Sequence, residues 1–255
     1  MNNNKRYVRF SYDNRTLIGC VDAADEIEVL EGDIFGDYLP TGEKVGLQDV
    51  KLLAPVEPST ILCVGRNYKS HGGDVRASLP GIFTKLPTTI SGPGADIPYA
   101  QGATDLHYEG EMVVIIGKTC SRVSVENAKD YIFGVTCGND MSERNWQKSD
   151  LQWVRAKASD GFGPIGPWIV TGLDYDNLLL ETRVNGETVQ SERTNMLIHN
   201  VGAVVSFISQ TITLNPGDII YTGTPGTTKA VTPGDTIEVE LEGVGVLLNK
   251  VVAIE

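Results

Sequence analysis

The pattern of apolar residues along this chain predicts a protein built mainly from β-strands. Residues 112–116 form an uninterrupted apolar run that ends at Gly117, and such a run predicts a strand buried on both faces. Residues 60–65 and 133–138 show a similar pattern and predict two further buried strands. Between residues 7 and 53 apolar and polar positions alternate in places, which is typical of short, half-exposed strands.

Helices and turns are expected at fewer positions. Residues 196–209 carry apolar side chains at helical spacing and predict the clearest helix, and residues 124–132 predict a shorter one. Pro-Gly-Asp turns within residues 215–218 and 232–235 each precede an apolar stretch, so each is expected to start a strand. A final hairpin is predicted through residues 242–245.

Two prolines mark the best candidate for a boundary within the chain. Pro55 and Pro58 lie in residues 54–59, where they would interrupt any regular element. We therefore expect a small N-terminal β subdomain at residues 1–57 and a main domain at residues 58–255. The expected fold class is α+β and predominantly β, and 255 residues suffice for a substantial core.

The composition narrows the classes of partner and compartment. The formal net charge is −12, which argues against nucleic acid or an anionic membrane surface as a partner. No stretch resembles a signal peptide or reaches the length of a membrane-spanning helix. The four cysteines are far apart with no C-x-x-C pair, which favours buried free thiols in a reducing compartment. A cytoplasmic protein is the expectation.

Acidic residues at the ends of two predicted strands indicate a cation site. Glu109 and Glu111 are two residues apart and should point to the same side of one strand, where their mutual repulsion favours a bound divalent cation. Asp140 follows the strand at residues 133–138 and supplies a third carboxylate. Three such oxygens suit Mg²⁺ or Mn²⁺, and also Ca²⁺. The alternatives are a solvated strand end, and Asp140 capping a turn at residues 142–147.

Two basic side chains are further candidates for chemistry. His71 lies in a glycine-containing loop, where it is either a general base or an exposed loop histidine. Asp74 follows three residues later and could orient the ring, and the intervening Gly72 and Gly73 are compatible with a segment that closes as a lid. Lys157 stands in an apolar neighbourhood, and a buried lysine needs a carboxylate partner or an anionic ligand.

The ordered motifs of residues 61–252 resemble the fumarylacetoacetate hydrolase family. They comprise N-Y-x-x-H ending at His71, F-x-K ending at Lys85, G-P-G, E-x-E-x3-I-I-G, N-D-x-S-x-R, R-A-K-x-x-D and T-G-T-P. The small members that act on acylpyruvates or oxaloacetate look most similar. Family members usually carry Glu three residues after the histidine, where this chain has Asp74.

The resemblance implies a mixed β-sandwich roll, a homodimer and a site for Mg²⁺ or Mn²⁺. Residues matching the family's metal ligands are Glu109, Glu111 and Asp140. The residues expected to face a small anionic 2-oxo acid substrate are Arg144, Gln147 and Lys157, with Thr224 lining the pocket and His71 acting as the base on a closing lid.

The hypothesis that follows is a metal-dependent hydrolase that cleaves a C–C bond in an acylpyruvate or fumarylacetoacetate type of acid. His71, backed by Asp74, would take a proton from water, and the hydroxide would attack the distal carbonyl. The departing enolate would be stabilised by the cation and Lys157. Oxaloacetate decarboxylation and isomerisation of an unsaturated 2-hydroxy dioate use the same enolate and remain open.

A protein outside the enzyme classes is the further alternative. The carboxylates would then hold a structural metal in an inactive binding protein. Arg144, Gln147 and Lys157 argue against this, because a structural metal does not need side chains that face a substrate.

Overall fold

The computed structural model describes residues 4–72 and 78–254, and β-strands dominate this part of the chain. The predicted mainly-β class with mixed sheets is confirmed, since antiparallel and parallel pairs occur together. The strands are β1 (Arg6–Tyr12), β2 (Arg15–Val21), β3 (Glu26–Gly32), β4 (Tyr38–Gly46), β5 (Lys51–Leu52), β6 (Ile61–Gly65), β7 (Gly81–Lys85), β8 (Ile90–Ser91), β9 (Asp96–Tyr99), β10 (Leu106–His107), β11 (Gly110–Ile116), β12 (Ile132–Asn139), β13 (Ser142–Glu143), β14 (Gly163–Val170), β15 (Leu179–Val184), β16 (Glu187–Arg193), β17 (Ile219–Tyr221), β18 (Thr236–Leu241) and β19 (Gly245–Ala253).

Helices are short. The α-helices are α1 (Lys69–Gly72), α2 (Arg144–Ser149), α3 (Val154–Lys157) and α4 (Val201–Ser209), and 3₁₀ turns occur at Leu47–Asp49, Pro87–Thr89, Ala128–Tyr131, Tyr175–Asn177 and Thr194–Met196. Among the residues that the structure describes, no helix is long and apolar enough to span a membrane.

Two sheets enclose the core. The larger has the order β4-β3-β2-β1-β14-β12-β11-β17-β6-β7, with β5 paired to β1 and β8 paired to β14. The smaller has the order β16-β15-β18-β19-β9, and β10 and β13 form a separate pair. This arrangement agrees with the expected sandwich-like architecture.

Strand β11 lies at the centre and is buried on both faces, as its apolar run predicted. Met112, Val114 and Ile116 pack in the cluster that contains α4 and side chains of β15 and β18. Val113 and Ile115 point the other way, into a cluster with side chains of β6 and β17. Alternation along a strand sends successive side chains to opposite faces, so an uninterrupted apolar run is what a strand between two cores requires.

Four strand ends meet at one edge of the larger sheet. β17 runs parallel to β6, so their carboxyl ends lie together. β11 is antiparallel to β17 and to β12, which brings its amino end and the carboxyl end of β12 to the same edge. The loops that leave this edge therefore converge.

The N-terminal strands continue the larger sheet. β1 pairs with β14 through Arg6–Val170 and Tyr7–Ile169, and its other contacts are with β2 and β5. Residues 54–59 form no helix or strand, in agreement with the proline-based linker. The division at residue 57 into two domains stays a prediction.

The helix predicted at residues 196–209 begins later than expected. Of its first residues only Met196 is helical, as the end of a 3₁₀ turn at Thr194–Met196. The helix α4 starts only after Asn200, whose side chain accepts from the Ala203 N–H at 2.9 Å. Asn67 is the reason: its carbonyl accepts from Ile198 N at 2.7 Å and its side chain from His199 N at 2.8 Å. Those tertiary bonds replace the first helical turn.

The predicted helix at residues 124–132 is also wrong in extent, because only a 3₁₀ turn forms, at Ala128–Tyr131. The predicted turns are better reproduced: β17 and β18 follow the two Pro-Gly-Asp segments, and a hairpin joins β18 to β19. The four cysteines, all in the described ranges, are free thiols.

Adding a methyl group at Gly138 should destabilise the fold. A Cβ at this position would lie 2.4 Å from Val113 Cγ2 and 2.7 Å from Tyr221 Cε1, so we expect Gly138→Ala to lower the free energy of unfolding by about 1–3 kcal/mol through overpacking. Urea unfolding measures the change. Gly81→Ala is the matched control, because its nearest neighbour would be Gly65 O at 3.7 Å. Equal stability of both variants would contradict the packing described here.

Candidate active site

The three acidic side chains singled out in the sequence converge at the sheet edge formed by β11 and β12. Each of Glu109, Glu111 and Asp140 offers an oxygen, and these oxygens lie within 4.8 Å of one another. All three residues are nearly fully buried, with exposed fractions of 4%, 2% and 1%. Three buried carboxylates at this spacing form a cluster that needs positive charge to be stable.

Glu109 lies directly before β11, which begins at Gly110, and its side chain converges with that of Glu111 on one point. The Glu109 backbone is held by the end of β12: its N–H donates to Asn139 Oδ1 at 2.9 Å, and its carbonyl accepts from Asp140 N at 2.8 Å. These two bonds fix the separation between Glu109 and Asp140.

Lys157 supplies the first positive charge, from α3. Its Nζ lies 2.6 Å from Glu109 Oε2 and 2.7 Å from Asp140 Oδ2. A carboxylate partner was expected for a buried lysine, and Lys157 has two. Burial alone would lower the pKa of Lys157, but attraction to Asp140 and Glu109 outweighs it and raises the pKa above its usual value. The two carboxylates therefore favour the charged form of Lys157.

Lys85 supplies a second charge, to which no role was assigned from the sequence. Its fully buried Nζ lies 2.6 Å from Asp140 Oδ1 and donates to Phe162 O at 2.8 Å and to Lys157 O. It thus anchors Asp140 and the backbone of Lys157 together. The only sequence signal was its place in the F-x-K motif at the end of a predicted strand.

The two glutamates have opposite electrostatic environments. At Glu109 burial favours the neutral acid, but the charges of Lys157 and Arg144 outweigh it and hold the pKa well below its usual range. At Glu111 burial, then repulsion from Asp140 and from Glu109, raises the pKa well above that range, despite the Gly223 N–H that donates to Oε2 at 2.6 Å. Within the residues that the structure describes, Glu111 forms no salt bridge, so a negative charge is less well compensated there than at Glu109.

The different electrostatic environments of the two glutamates bear on whether a divalent metal ion fits this cluster. Three all-oxygen ligands form a donor set suited to Mg²⁺, Mn²⁺ or Ca²⁺. A divalent cation at the cluster would stabilise ionised Glu111, for which the described residues supply one backbone N–H and no salt bridge. The residues present therefore fit a hard divalent cation.

The capping alternative for Asp140 is not what the structure shows. Helix α2 is capped by Glu143, whose Oε2 accepts from Trp146 N at 2.5 Å. The side-chain oxygens of Asp140 face the two lysines instead, which leaves Asp140 committed to the cluster.

Arg144 and Gln147 lie together on α2 beside the cluster. Arg144 donates to Glu109 Oε1 at 2.5 Å, to Gln147 Oε1 at 2.9 Å and to Thr228 Oγ1 at 2.9 Å. Thr224 is buried, donates to Gly110 O and accepts from Gln190 Nε2, both at 2.8 Å. All three predicted substrate-facing residues line the same cavity as the carboxylates.

His71, on α1, approaches the cluster from the opposite wall. Its Nδ1 lies 2.7 Å from Gly226 O; a carbonyl only accepts, so Nδ1 carries the proton. Its Nε2 lies 3.5 Å from Glu109 Oε1, which is long for a hydrogen bond, so among the described residues this nitrogen has no strong hydrogen-bond partner. The predicted partner Asp74 lies outside the described residues.

The cavity that these side chains share has a volume of about 660 Å³. Its inner end carries the carboxylates and Lys157, and its walls include the aromatic side chains of Phe83 and Trp153, whose ring centroids are 5.4 Å apart. Concave sites of this size with few convergent polar groups are typical of small-molecule binding. Asn67, missed by sequence reasoning, bonds to Thr222 O at 2.8 Å and ties the His71 loop to this wall.

Comparison with known proteins agrees with the motifs. A family model described as "Fumarylacetoacetate (FAA) hydrolase C-terminal" matches residues 60–252, and one described as "Rv2993c-like, N-terminal" matches residues 5–55. Protein Rv2993c of Mycobacterium tuberculosis is 46% identical over 225 residues, which are 86% of this chain and 84% of that protein.

Two further similar proteins carry names of reactions. Oxaloacetate tautomerase YisK of Bacillus subtilis is 38% identical over 223 residues, 80% of this chain and 74% of that protein. The crystal structure described as 2-hydroxyhepta-2,4-diene-1,7-dioate isomerase from Mycobacterium marinum superposes with a TM-score of 0.92 at 42% identity and covers 98% of each chain.

Removing the charge of Lys85 should be costly. In Lys85→Met the buried Asp140 Oδ1 loses its ion pair and two carbonyls lose a donor, so we expect a loss of about 3–5 kcal/mol in the free energy of unfolding. Chemical denaturation measures it. The exposed Lys118→Met is the control and should change stability by less than about 0.5 kcal/mol; a similar small effect at Lys85 would show that the lysine does not support the cluster.

Proposed function

The chain belongs to the fumarylacetoacetate hydrolase family, and we propose that it is an enzyme that interconverts the keto and enol forms of a small 2-oxo acid. The observation that carries this proposal is the convergence of Lys157, Arg144 and His71 Nε2 on one carboxylate-lined cavity. An enolate needs a cation at its oxygen, an anchor for its carboxylate and a base at its carbon.

The cation at this site would be Mg²⁺ or Mn²⁺, held by Glu109, Glu111 and Asp140. As a Lewis acid it would polarise the oxygens of a bound 2-oxo acid and make the neighbouring carbon more acidic.

Side chains of the protein would bind the substrate carboxylate and stabilise the charge on the substrate oxygen. Arg144, with Gln147 beside it, would bind the substrate carboxylate through the guanidinium donors that its present partners do not use. Lys157 would stabilise the negative charge that develops on the substrate oxygen. Thr224 would complete the wall next to the cluster.

His71 would transfer the proton. Its Nε2 would take a proton from the carbon next to the keto group, the C–H electron pair would form the C=C bond, and the carbonyl π electrons would move to oxygen. Return of the proton, to oxygen or to carbon, completes the conversion. The Gly226 carbonyl that accepts from Nδ1–H would keep the ring proton on Nδ1 before the transfer, and would stabilise the imidazolium that forms when Nε2 takes the substrate proton.

Keto–enol conversion is preferred because the described residues supply what it needs: one base, one anchor and a charged oxygen site. The names of the Bacillus subtilis tautomerase and the Mycobacterium marinum isomerase point to the same class of proton transfer. Oxaloacetate is the first substrate to test.

C–C bond hydrolysis of an acylpyruvate is the second candidate. It uses the same groups and requires His71 to activate water in addition, with Asp74 as its partner. Decarboxylation of oxaloacetate and an inactive metal-stabilised protein are the remaining outcomes. The cytoplasmic location and the homodimer stay predictions.

One set of assays separates these reactions and tests the role of the metal. Enol-oxaloacetate decay, pyruvate release from oxaloacetate and acetylpyruvate cleavage are measured side by side in EDTA and after addition of Mg²⁺ or Mn²⁺. We expect enol decay to be accelerated above the buffer rate, to be lost in EDTA and to return with either metal, because the cation polarises the substrate oxygens. Acetylpyruvate cleavage without enol turnover would replace the tautomerase proposal, and turnover of neither acid would overturn both.

His71 offers the sharpest test of the base. In His71→Asn the amide can still donate to the Gly226 carbonyl, but the basic Nε2 is gone, so we expect kcat to fall roughly 100- to 10,000-fold. Mn²⁺ binding, measured by calorimetry, should survive, because His71 is not among the three metal ligands. The neighbouring exposed Lys69→Gln is the control. Full turnover in His71→Asn would exclude the histidine from proton transfer.

A further inference from the structure

A hydrogen-bonded chain outside the metal cluster leads to Arg144. Its members are Asp105, His107 and Thr228, which line the cavity beside the carboxylates. Asp105 Oδ1 lies 2.9 Å from His107 Nε2, His107 Nδ1 lies 2.8 Å from Thr228 Oγ1, and Thr228 Oγ1 accepts from Arg144 at 2.9 Å. None of these three residues was assigned a role from the motifs.

We propose that His107 is a positioning residue, which acts with Asp105 and Thr228 to hold the Arg144 guanidinium in the orientation that receives the substrate carboxylate. This inference rests on the proposed function, in which Arg144 is the anchor of a 2-oxo acid. In the proposed reaction His107 does not contact the substrate, and it acts on Arg144 through the Thr228 hydroxyl.

The direction of each bond follows from the groups themselves. Thr228 Oγ1 already accepts from Arg144, so its single proton is free to be donated to the nearest acceptor, which is His107 Nδ1. That leaves the proton of the neutral ring on Nε2, where the Asp105 carboxylate accepts it. Asp105 therefore selects the tautomer, and the tautomer orients the hydroxyl lone pair towards Arg144.

The backbone around His107 is fixed from two sides. β10 pairs with β13, with His107 opposite Ser142, and an isolated bridge joins His107 to Ala230. In addition, Arg144 N donates to Asp105 O at 2.9 Å. Both ends of the hydrogen-bonded chain, Asp105 and Arg144, are therefore anchored to the short β10–β13 pair. This limits how far the His107 ring can move.

Arg144 needs such a support because its strongest partner competes with the substrate. The guanidinium is 2.5 Å from Glu109 Oε1, and a charged pair of this kind favours rotation of the donors towards the carboxylate cluster. Thr228 holds the same NH2 group from the side, and Gln147 holds NH1. Loss of the Thr228 hydroxyl removes one of the three acceptors that hold the Arg144 guanidinium in its orientation.

Matched variants test the role of the hydrogen-bonded chain from Asp105 to Arg144. Thr228→Val removes the hydroxyl at constant shape, Thr228→Ser restores it, and His107→Phe removes both ring nitrogens. The readouts are KM and kcat for oxaloacetate, calorimetric binding of oxalate with Mn²⁺ as a planar mimic of the enolate, and binding of Mn²⁺ alone.

We expect Thr228→Val and His107→Phe each to raise KM and the oxalate Kd about tenfold, as one charge-assisted hydrogen bond requires, with kcat within about threefold. The double variant should be no worse than the single ones, because both remove the same support. Thr228→Ser should recover most of the affinity, and the exposed Thr188→Val, which lies outside the cavity lining, should bind as wild type does. Mn²⁺ affinity and thermal stability should be unchanged.

The outcomes separate this inference from the function on which it rests. If the wild-type protein with Mn²⁺ does not bind oxalate, the proposed function fails and takes the anchor role of Arg144 with it. If the wild type binds oxalate and Thr228→Val and His107→Phe bind it equally well, the positioning role alone is overturned. Additive losses, or losses that accompany weaker Mn²⁺ binding, would likewise overturn it, since they indicate damage to the cluster.

Discussion

The burial of three carboxylates at one sheet edge is the constraint on which the rest of the structure depends. Glu109, Glu111 and Asp140 are almost inaccessible to water, and charges removed from water are tolerated only with close counter-charges. Lys85 and Lys157 supply these at 2.6–2.7 Å. Arg144 adds a third positive charge at 2.5 Å from Glu109 Oε1. Glu111 forms no salt bridge within the described residues, and burial, with repulsion from Asp140 and Glu109, raises its pKa.

The fold meets this constraint by bringing distant segments to one edge. β11 and β12 are neighbours in the larger sheet, with Glu111 in β11, Glu109 directly before it and Asp140 directly after β12. β6 and β17 end beside them and lead into the loops that hold His71 and Gly223. The two cores on either side of β11 make that strand rigid, since each of its apolar side chains is fully buried. A rigid central strand is what allows like charges to be held at a fixed spacing.

The same arrangement explains why related proteins bear names of different reactions. A site that stabilises an enolate serves tautomerisation, isomerisation, decarboxylation and C–C cleavage alike, because the charge that develops on the substrate oxygen is common to all of them. What differs is the group that delivers or removes a proton, which in the proposed mechanism is His71 on the short helix α1. Under that proposal the choice of reaction would be made at His71 and its surroundings, not at the carboxylates.

The sequence by itself determined the local and the chemical parts of this protein. The unbroken apolar run predicted β11, the E-x-E spacing with Asp140 predicted a cation site, and ordered motifs predicted the family. Contacts between distant residues were decided only by the tertiary structure. The Asn67 bonds that delay α4 span 132 residues, and the Thr228–Arg144 bond spans 84. The periodicity of apolar residues indicates which face of an element is buried. A hydrogen bond between remote loops produces no such pattern in the sequence. The contacts that hold each charged group in place are therefore known only from the folded structure.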